Sequence, residues 1–254
     1  MLGYTGRGIL RDKILNLISN VDKNVEQRLE HFLECINDSE GIDNVLVWLQ
    51  KIKNDLPATV SEINLNNVED GWSLNPDTGN LEHSTGGFFK IIGIKTETEI
   101  RESGKGWKQP MVDQGTESSV VGLIKKRDQS GVFKYLVEAK FEPGNYGRVL
   151  LSPTLQVTYD NLNKLHSGRR PLFSEYFSFS EQNNDITATV KFEHWYPEDG
   201  GRFYRKRVKN MLVETTDVFE VPNNFIWLNM FQLKELLKRD NLVNPHLRSI
   251  ISYL

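Results

Sequence analysis

Phe133-Lys134-Tyr135-Leu136-Val137-Glu138-Ala139-Lys140-Phe141-Glu142-Pro143-Gly144-Asn145 is the stretch on which the reading turns. Phe133–Glu142 is predicted as a strand. Residues two apart on a strand share a face, so Glu138, Lys140 and Glu142 point one way and Val137, Ala139 and Phe141 the other. Pro143-Gly144 stops the strand, since proline lacks a ladder donor and the pair favours a turn. Glu142 and Asn145 are left at the strand end, where functional groups commonly stand on loops held by a scaffold. Alternating charge also describes a merely solvated face, and spacing alone leaves both readings open.

Working outward, further strands are predicted at Phe88–Ile94, Val120–Lys126, Ile186–His194 and Phe203–Glu214. Asp70-Gly71, Asn75-Pro76, Thr78-Gly79, Gly86-Gly87, Gly104 and Gly106 punctuate the chain ahead of them as turns do. Ser152–His166 reads as a loop leading into a helix, and Met230–Lys238 and Pro245–Leu254 as helices. Upstream, Ile14, Ile18, Val21, Val25, Leu29, Phe32 and Ile36 form one stripe of an amphipathic helix running from Ile9 to Ile36. That stripe suits either packing on its own subunit or a helix contact across a dimer. A second helix runs from Ile42 to Asn54 and ends before Pro57. The class expected is α+β, with a helical extension over 1–56 ahead of the main domain at 57–254.

The 254 residues are 38 % hydrophobic and 10 % aromatic, enough to bury a core, and the net charge of −3 argues against a nucleic-acid or membrane-surface protein. No apolar run approaches a membrane span and no secretory leader is visible, so a cytoplasmic protein is expected. Cys35, the single cysteine, rules out an internal disulfide; it suits a buried thiol better than a reactive one. The five histidines lack metal-ligand spacing, and there is no dinucleotide fingerprint, phosphate loop, His-Glu-x-x-His or Gly-x-Ser-x-Gly. No cofactor and no metal are therefore expected. Arg202–Arg207 offers phosphate-binding charge or a protected sheet edge, and Trp107-Lys108-Gln109-Pro110 offers a stacking ring beside an amide or simply core.

Six motifs in order resemble one family, the NDP-4-keto-6-deoxyhexose 2,3-dehydratases. They begin with Asp70-Gly71-Trp72-Ser73 and Asp77–His83, followed by Trp107–Pro110 and Ala139–Asn145. Leu151-Ser152-Pro153-Thr154-Leu155-Gln156, Phe203–Lys206 with Asn210-Met211, and Trp227-Leu228 with Arg239–Asn244 complete the series. The resemblance covers Ile42 to Leu254. Two departures stand out: the family's chains carry two tandem copies of this unit where one is seen here, and the family's Gln-Pro-Glu step reads Gln114-Gly115-Thr116-Glu117.

The resemblance implies a Nudix-like mixed sheet with packed helices. The stretch that would carry that fold's acidic metal box, Tyr146 to His166, holds Asp160 as its only acid, too little for a divalent cation. The implied activity is loss of the C2 hydroxyl from a nucleotide-linked 4-keto-6-deoxyhexose, such as TDP-4-keto-6-deoxyglucose, giving a 3,4-diketo-2,6-dideoxy sugar. The ketone acidifies carbon 3 and serves as electron sink. Glu142 is the expected base, Lys140 or Lys206 the oxyanion partner, and His166 a reserve for proton transfer. Asn145, Ser152, Thr154, Gln156, Arg205, Asn210, Asn241 and Asn244 are expected on the diphosphate and sugar, with Trp107 and Gln109 on a ring face. A homodimer is expected. A binding-only nucleotide-sugar protein and a Nudix-type hydrolase are the rival readings.

Overall fold

The structure, a computed structural model, describes residues 4–17, 25, 28–29, 32–33, 40–99, 106–162, 170–177 and 186–254. Its first half contains α1 (Tyr4–Leu17), α2 (Asp43–Asp55), β1 (Trp72–Leu74), β2 (Leu81–His83), β3 (Lys90–Thr96), β4 (Trp107–Asp113) and β5 (Glu117–Arg127). Then follow β6 (Phe133–Phe141), β7 (Val149–Ser152), β8 (Leu155–Thr158), α3 (Tyr159–Leu162), β9 (Ala188–Pro197), β10 (Arg207–Thr215), β11 (Phe225–Asn229), α4 (Met230–Leu237) and α5 (Pro245–Tyr253). The class is α+β.

β1-β2-β3-β4 form a small antiparallel sheet, and the main sheet runs β11-β6-β5-β10-β9, with β7 on β6 and β8 on β5. Among the strand pairs of the described residues, β5–β10 is parallel and the others in it are antiparallel, which makes it mixed. Both faces of the main sheet are covered. Val121, Leu123, Val137, Ala139, Val208 and Leu212 meet α2, α4 and α5 through residues such as Val45, Leu49, Leu233 and Ile250. Val120, Ile124, Leu136, Met211 and Val213 turn to the other side, against Phe173, Tyr176 and Phe177. Period-two alternation thus feeds two cores, and each fully buried aliphatic side chain is worth roughly 1.5–3 kcal/mol. Lys125, 2 % exposed on β5, is tolerated because its ammonium lies 3.4 Å from Glu214 and over the Phe133 ring.

One strand junction creates the space that matters. β5 and β6 pair from Ile124/Leu136 to Arg127/Phe133 and then part: β5 continues with β8, and β6 with β7. Parting leaves the Ile124 N–H and the Leu136 carbonyl without the neighbouring strand. Thr154, between β7 and β8, takes both: its hydroxyl accepts from Ile124 N at 2.9 Å and donates to Leu136 O at 2.5 Å. Satisfying two buried backbone groups with one side chain is what lets the sheet fork.

Several expectations are corrected here. Within Ser152–His166 the described residues are not all loop ahead of the helix: 155–158 is strand, with Leu155 and Val157 buried, Tyr159–Leu162 is helical, and 163–166 lie outside the described residues. β4 lies in a segment with no predicted strand, and β9 and β10 are shifted towards the C-terminus from their expected starts. In the N-terminal stripe Val25 and Phe32 are exposed and Leu33 is buried instead, while Ile18, Val21, Cys35 and Ile36 lie outside the described residues.

Candidate active site

A cavity of about 280 Å³ opens where β5 and β6 diverge. Glu142, just past β6, carries the centre of it. Its backbone N–H bonds to Arg148 O at 3.1 Å, closing the turn back to β7. One carboxylate oxygen accepts from Gln156 Nε2 at 2.7 Å and the other from Asn145 Nδ2 at 3.2 Å.

The orientation of Gln156 is fixed in turn. Its Oε1 accepts from Asn244 Nδ2 at 2.8 Å, and Asn244 Nδ2 also donates to Ser152 Oγ at 2.9 Å. Asn244 Oδ1 caps α5 by accepting from Leu247 N at 2.9 Å. Asn244 itself is held by backbone: Leu151 N donates to Leu242 O and Asn244 N to Leu151 O, laying 242–244 along β7. A helix cap, two amides and a carboxylate therefore form one directed chain ending at Glu142.

Opposite charges ring the cavity. Lys140 lies 3.5 Å from Glu138. Lys206, almost buried, lies 3.8 Å from Glu198 and over the Phe203 ring, and burial lowers its pKa. Glu198 meets it because its own N–H bonds to the Lys206 carbonyl. His246, the second residue of α5, also lines the cavity; burial lowers its pKa below 6.5, with Glu198 and Glu142 opposing and Lys206 and Lys140 reinforcing that shift. The floor is Val121 and Val208 with Ser119, whose buried hydroxyl has no partner among the described residues. A smaller cavity of about 160 Å³ adjoins, sharing Lys140 and Gln156. Glu138 lines it and accepts from Asn224 Nδ2 at 3.3 Å; burial raises its pKa.

The structure thus brings together Glu142, Lys140, Lys206 and Gln156 at the larger cavity, with Asn145, Ser152 and Asn244 bracing them. Asn210 is buried beside Val208, bonded to that residue's carbonyl, with its Oδ1 unpartnered among the described residues. Thr154 is engaged at the sheet fork rather than free for a ligand. Trp107 and Gln109 sit elsewhere, on β4: Trp107 Nε1 donates to Gln109 Oε1, and Gln109 Nε2 to Gly201 O, tying down the 199–205 turn. Arg205 and Asn241 are exposed turn residues in the left-handed region, with φ of 53° and 56°. His166 lies outside the described residues. Sequence reasoning missed Gln114, Ser119, Glu198 and His246. The one available signal was that His246 follows the Asn244-Pro245 helix start.

A fixed carboxylate beside ammonium groups and an imidazole is an arrangement able to do acid–base chemistry. Among the described residues no three His, Cys, Asp or Glu side chains converge to hold a metal ion, and no helix is long and apolar enough to cross a membrane.

Comparison with known proteins gives the chain its class. Residues 42–254 match the family described as NDP-hexose 2,3-dehydratase, and the chain belongs to that family. It is 33 % identical over 216 residues to a dTDP-4-dehydro-6-deoxy-alpha-D-glucopyranose 2,3-dehydratase of Amycolatopsis orientalis, covering 84 % of this chain and 44 % of that protein. A protein of the same name from Saccharopolyspora spinosa is 35 % identical over 181 residues, 71 % of this chain and 36 % of its own length. The chain therefore spans less than half the length of these relatives. A Nudix hydrolase from M. smegmatis overlaps 63 % of this chain and 90 % of its own at 13 % identity and a TM-score of 0.31, too loose a likeness to bear on activity.

Proposed function

We propose that the chain is a lyase that removes the C2 hydroxyl, as water, from a nucleotide-linked 4-keto-6-deoxyhexose, on the pattern of TDP-4-keto-6-deoxyglucose. The observation that carries this reading is the Glu142 carboxylate, fixed by Gln156 and Asn145 at the rim of a cavity that also holds Lys140 and Lys206. Family membership and the printed names of the relatives support the substrate class.

In this mechanism Glu142 takes the C3 proton, made acidic by the C4 ketone. The lysines supply positive charge against the developing oxyanion, and the proton on Glu142 goes to the departing C2 hydroxyl. The enol so formed tautomerises to the 3,4-diketo sugar. The substrate's own carbonyl is the electron sink, so the reaction as written needs neither redox cofactor nor metal. A positioned acid–base group contributes roughly 10²–10⁴-fold. Assembly as a homodimer, a cytoplasmic setting and the main domain over 57–254 belong to the same proposal.

Incubation with TDP-4-keto-6-deoxyglucose, followed by mass spectrometry with the product trapped, tests it. Loss of one water supports the lyase. Release of nucleoside monophosphate identifies a hydrolase, and unchanged substrate that nonetheless binds identifies a binding-only protein.

A further inference from the structure

The lysines at the cavity already have anionic partners, Lys140 with Glu138 and Lys206 with Glu198. A developing oxyanion needs, besides nearby positive charge, a donor aimed at it. His246 is a half-buried imidazole that lines the cavity, and it has no hydrogen-bond partner among the described residues. Its position is set by the same Asn244 that caps α5 and steers Gln156 onto Glu142, so base and imidazole are indexed to one residue. Ser119, 7 % exposed on the cavity floor with a hydroxyl unpartnered among the described residues, is an independent sign that this space is built for a polar ligand.

We propose that His246 donates the hydrogen bond that holds the C4 oxygen of the 4-ketohexose as it becomes an enolate. The proposal rests on the lyase reading above and assigns within it a catalytic residue. Burial outweighs the opposing carboxylates of Glu198 and Glu142 and, with Lys206, Lys140 and the start of a helix, disfavours the imidazolium, so the donor is a neutral N–H, suited to an enolate because it need not surrender its proton.

The electron count closes. As Glu142 removes the C3 proton, the C3–H pair becomes the C3–C4 double bond and the carbonyl pair moves onto the oxygen facing His246. When that carbonyl re-forms, the C2–C3 double bond is made and the C2–O bond breaks. The hydroxyl takes the proton from Glu142 and leaves as water, and His246 keeps its own proton throughout.

The test compares wild type, H246F and H246Q with TDP-4-keto-6-deoxyglucose in D₂O. Deuterium uptake at C3 is followed alongside water loss, and melting temperatures are recorded. Removing an oxyanion donor should lower kcat about 10²–10³-fold in H246F with KM within about threefold. C3 exchange should fall in parallel, because the enolate itself is not reached. H246Q, which keeps an N–H donor, should recover at least about tenfold of that loss. Persistent C3 exchange with water loss abolished would overturn the proposal, moving His246 to hydroxyl departure. Unchanged turnover, or a rise in KM alone, would overturn it too. Should H246F fold poorly, H246Q decides: wild-type melting without rate recovery counts against the donor role. Wild type that binds but neither exchanges C3 nor loses water refutes the lyase reading itself, a distinct result.

Discussion

Replacing Glu142 with Gln separates chemistry from binding, and its cost can be worked from the hydrogen-bond chain. Both Glu142 oxygens accept from amide N–H groups, so a glutamine must present its own NH₂ to one of them. Gln156 cannot turn, because Asn244 donates to its oxygen and Asn244 is held by Ser152 and the α5 cap. Asn145 can turn, since its side chain has the 3.2 Å contact with Glu142 as its hydrogen bond among the described residues. The new amide therefore keeps the Gln156 bond and re-forms one to a flipped Asn145. The structural cost is at most about one charge-assisted hydrogen bond, roughly 1.5–3 kcal/mol, and less after the flip. Catalysis, by contrast, loses its base: kcat should fall about 10²–10⁴-fold, equivalent to about 2.7–5.4 kcal/mol of barrier. Turnover is measured by mass spectrometry and substrate affinity by calorimetry. Near-normal kcat would refute Glu142 as base. Loss of binding and turnover together would show a structural role and refute the separation argued here.

Asn244→Ala should destabilise the fold by about 1–3 kcal/mol in urea, because a cap and a buried side-chain pair go together, and should slow turnover by freeing Gln156. Thr154→Val keeps shape but strands the Ile124 N–H and the Leu136 carbonyl; about 1–3 kcal/mol of lost stability is expected by thermal melting, and an unchanged melt would deny the fork account. Treatment with EDTA should leave turnover intact, since Asp160 is the only acid in 146–166; rescue of lost activity by added metal alone would overturn the metal-free mechanism. Light scattering after gel filtration should report a homodimer, consistent with exposed Ile9, Leu17, Val25 and Phe32; a stable monomer with full activity sinks that expectation.

What could be read from the sequence follows physical lines. Alternation along Val137–Glu142 was legible because one face of β6 is apolar core and the other meets a polar cavity. The C-terminal helices expected at Met230–Lys238 and Pro245–Leu254 are present, and the structure shows each start capped by an asparagine, Asn229 and Asn244. β7 was not legible, because all four of its residues are buried and a short strand covered on both faces has no polar beat. Pro153 then made the β7–β8 pair resemble a loop. His246 was unreadable for another reason: its role depends on Glu142, Lys140, Glu198 and Lys206, which approach it from β6 and the β9–β10 turn across long stretches of chain. Trp107 and Gln109 show the converse, since a motif suggestive of a ring-binding face instead anchors a turn.

The fork in the main sheet explains why the polar residues lie where they do. A continuous β5–β6 pairing would bring Val121 and Lys140 towards neighbouring ladder positions and leave no room between them. Parting the strands at Ile124 and Leu136 instead lets β8 slide in along β5 and carry Gln156 to Glu142. The strand that fills one arm thus delivers the residue that orients the carboxylate, while β7 on the other arm receives 242–244 and sets Asn244. Because β7 and β8 are joined through Pro153-Thr154, moving either arm would disturb the amide chain from Asn244 to Glu142. Rigidity at the carboxylate is therefore a consequence of topology: the pairing that opens the cavity is also the pairing that fixes Glu142 at its rim.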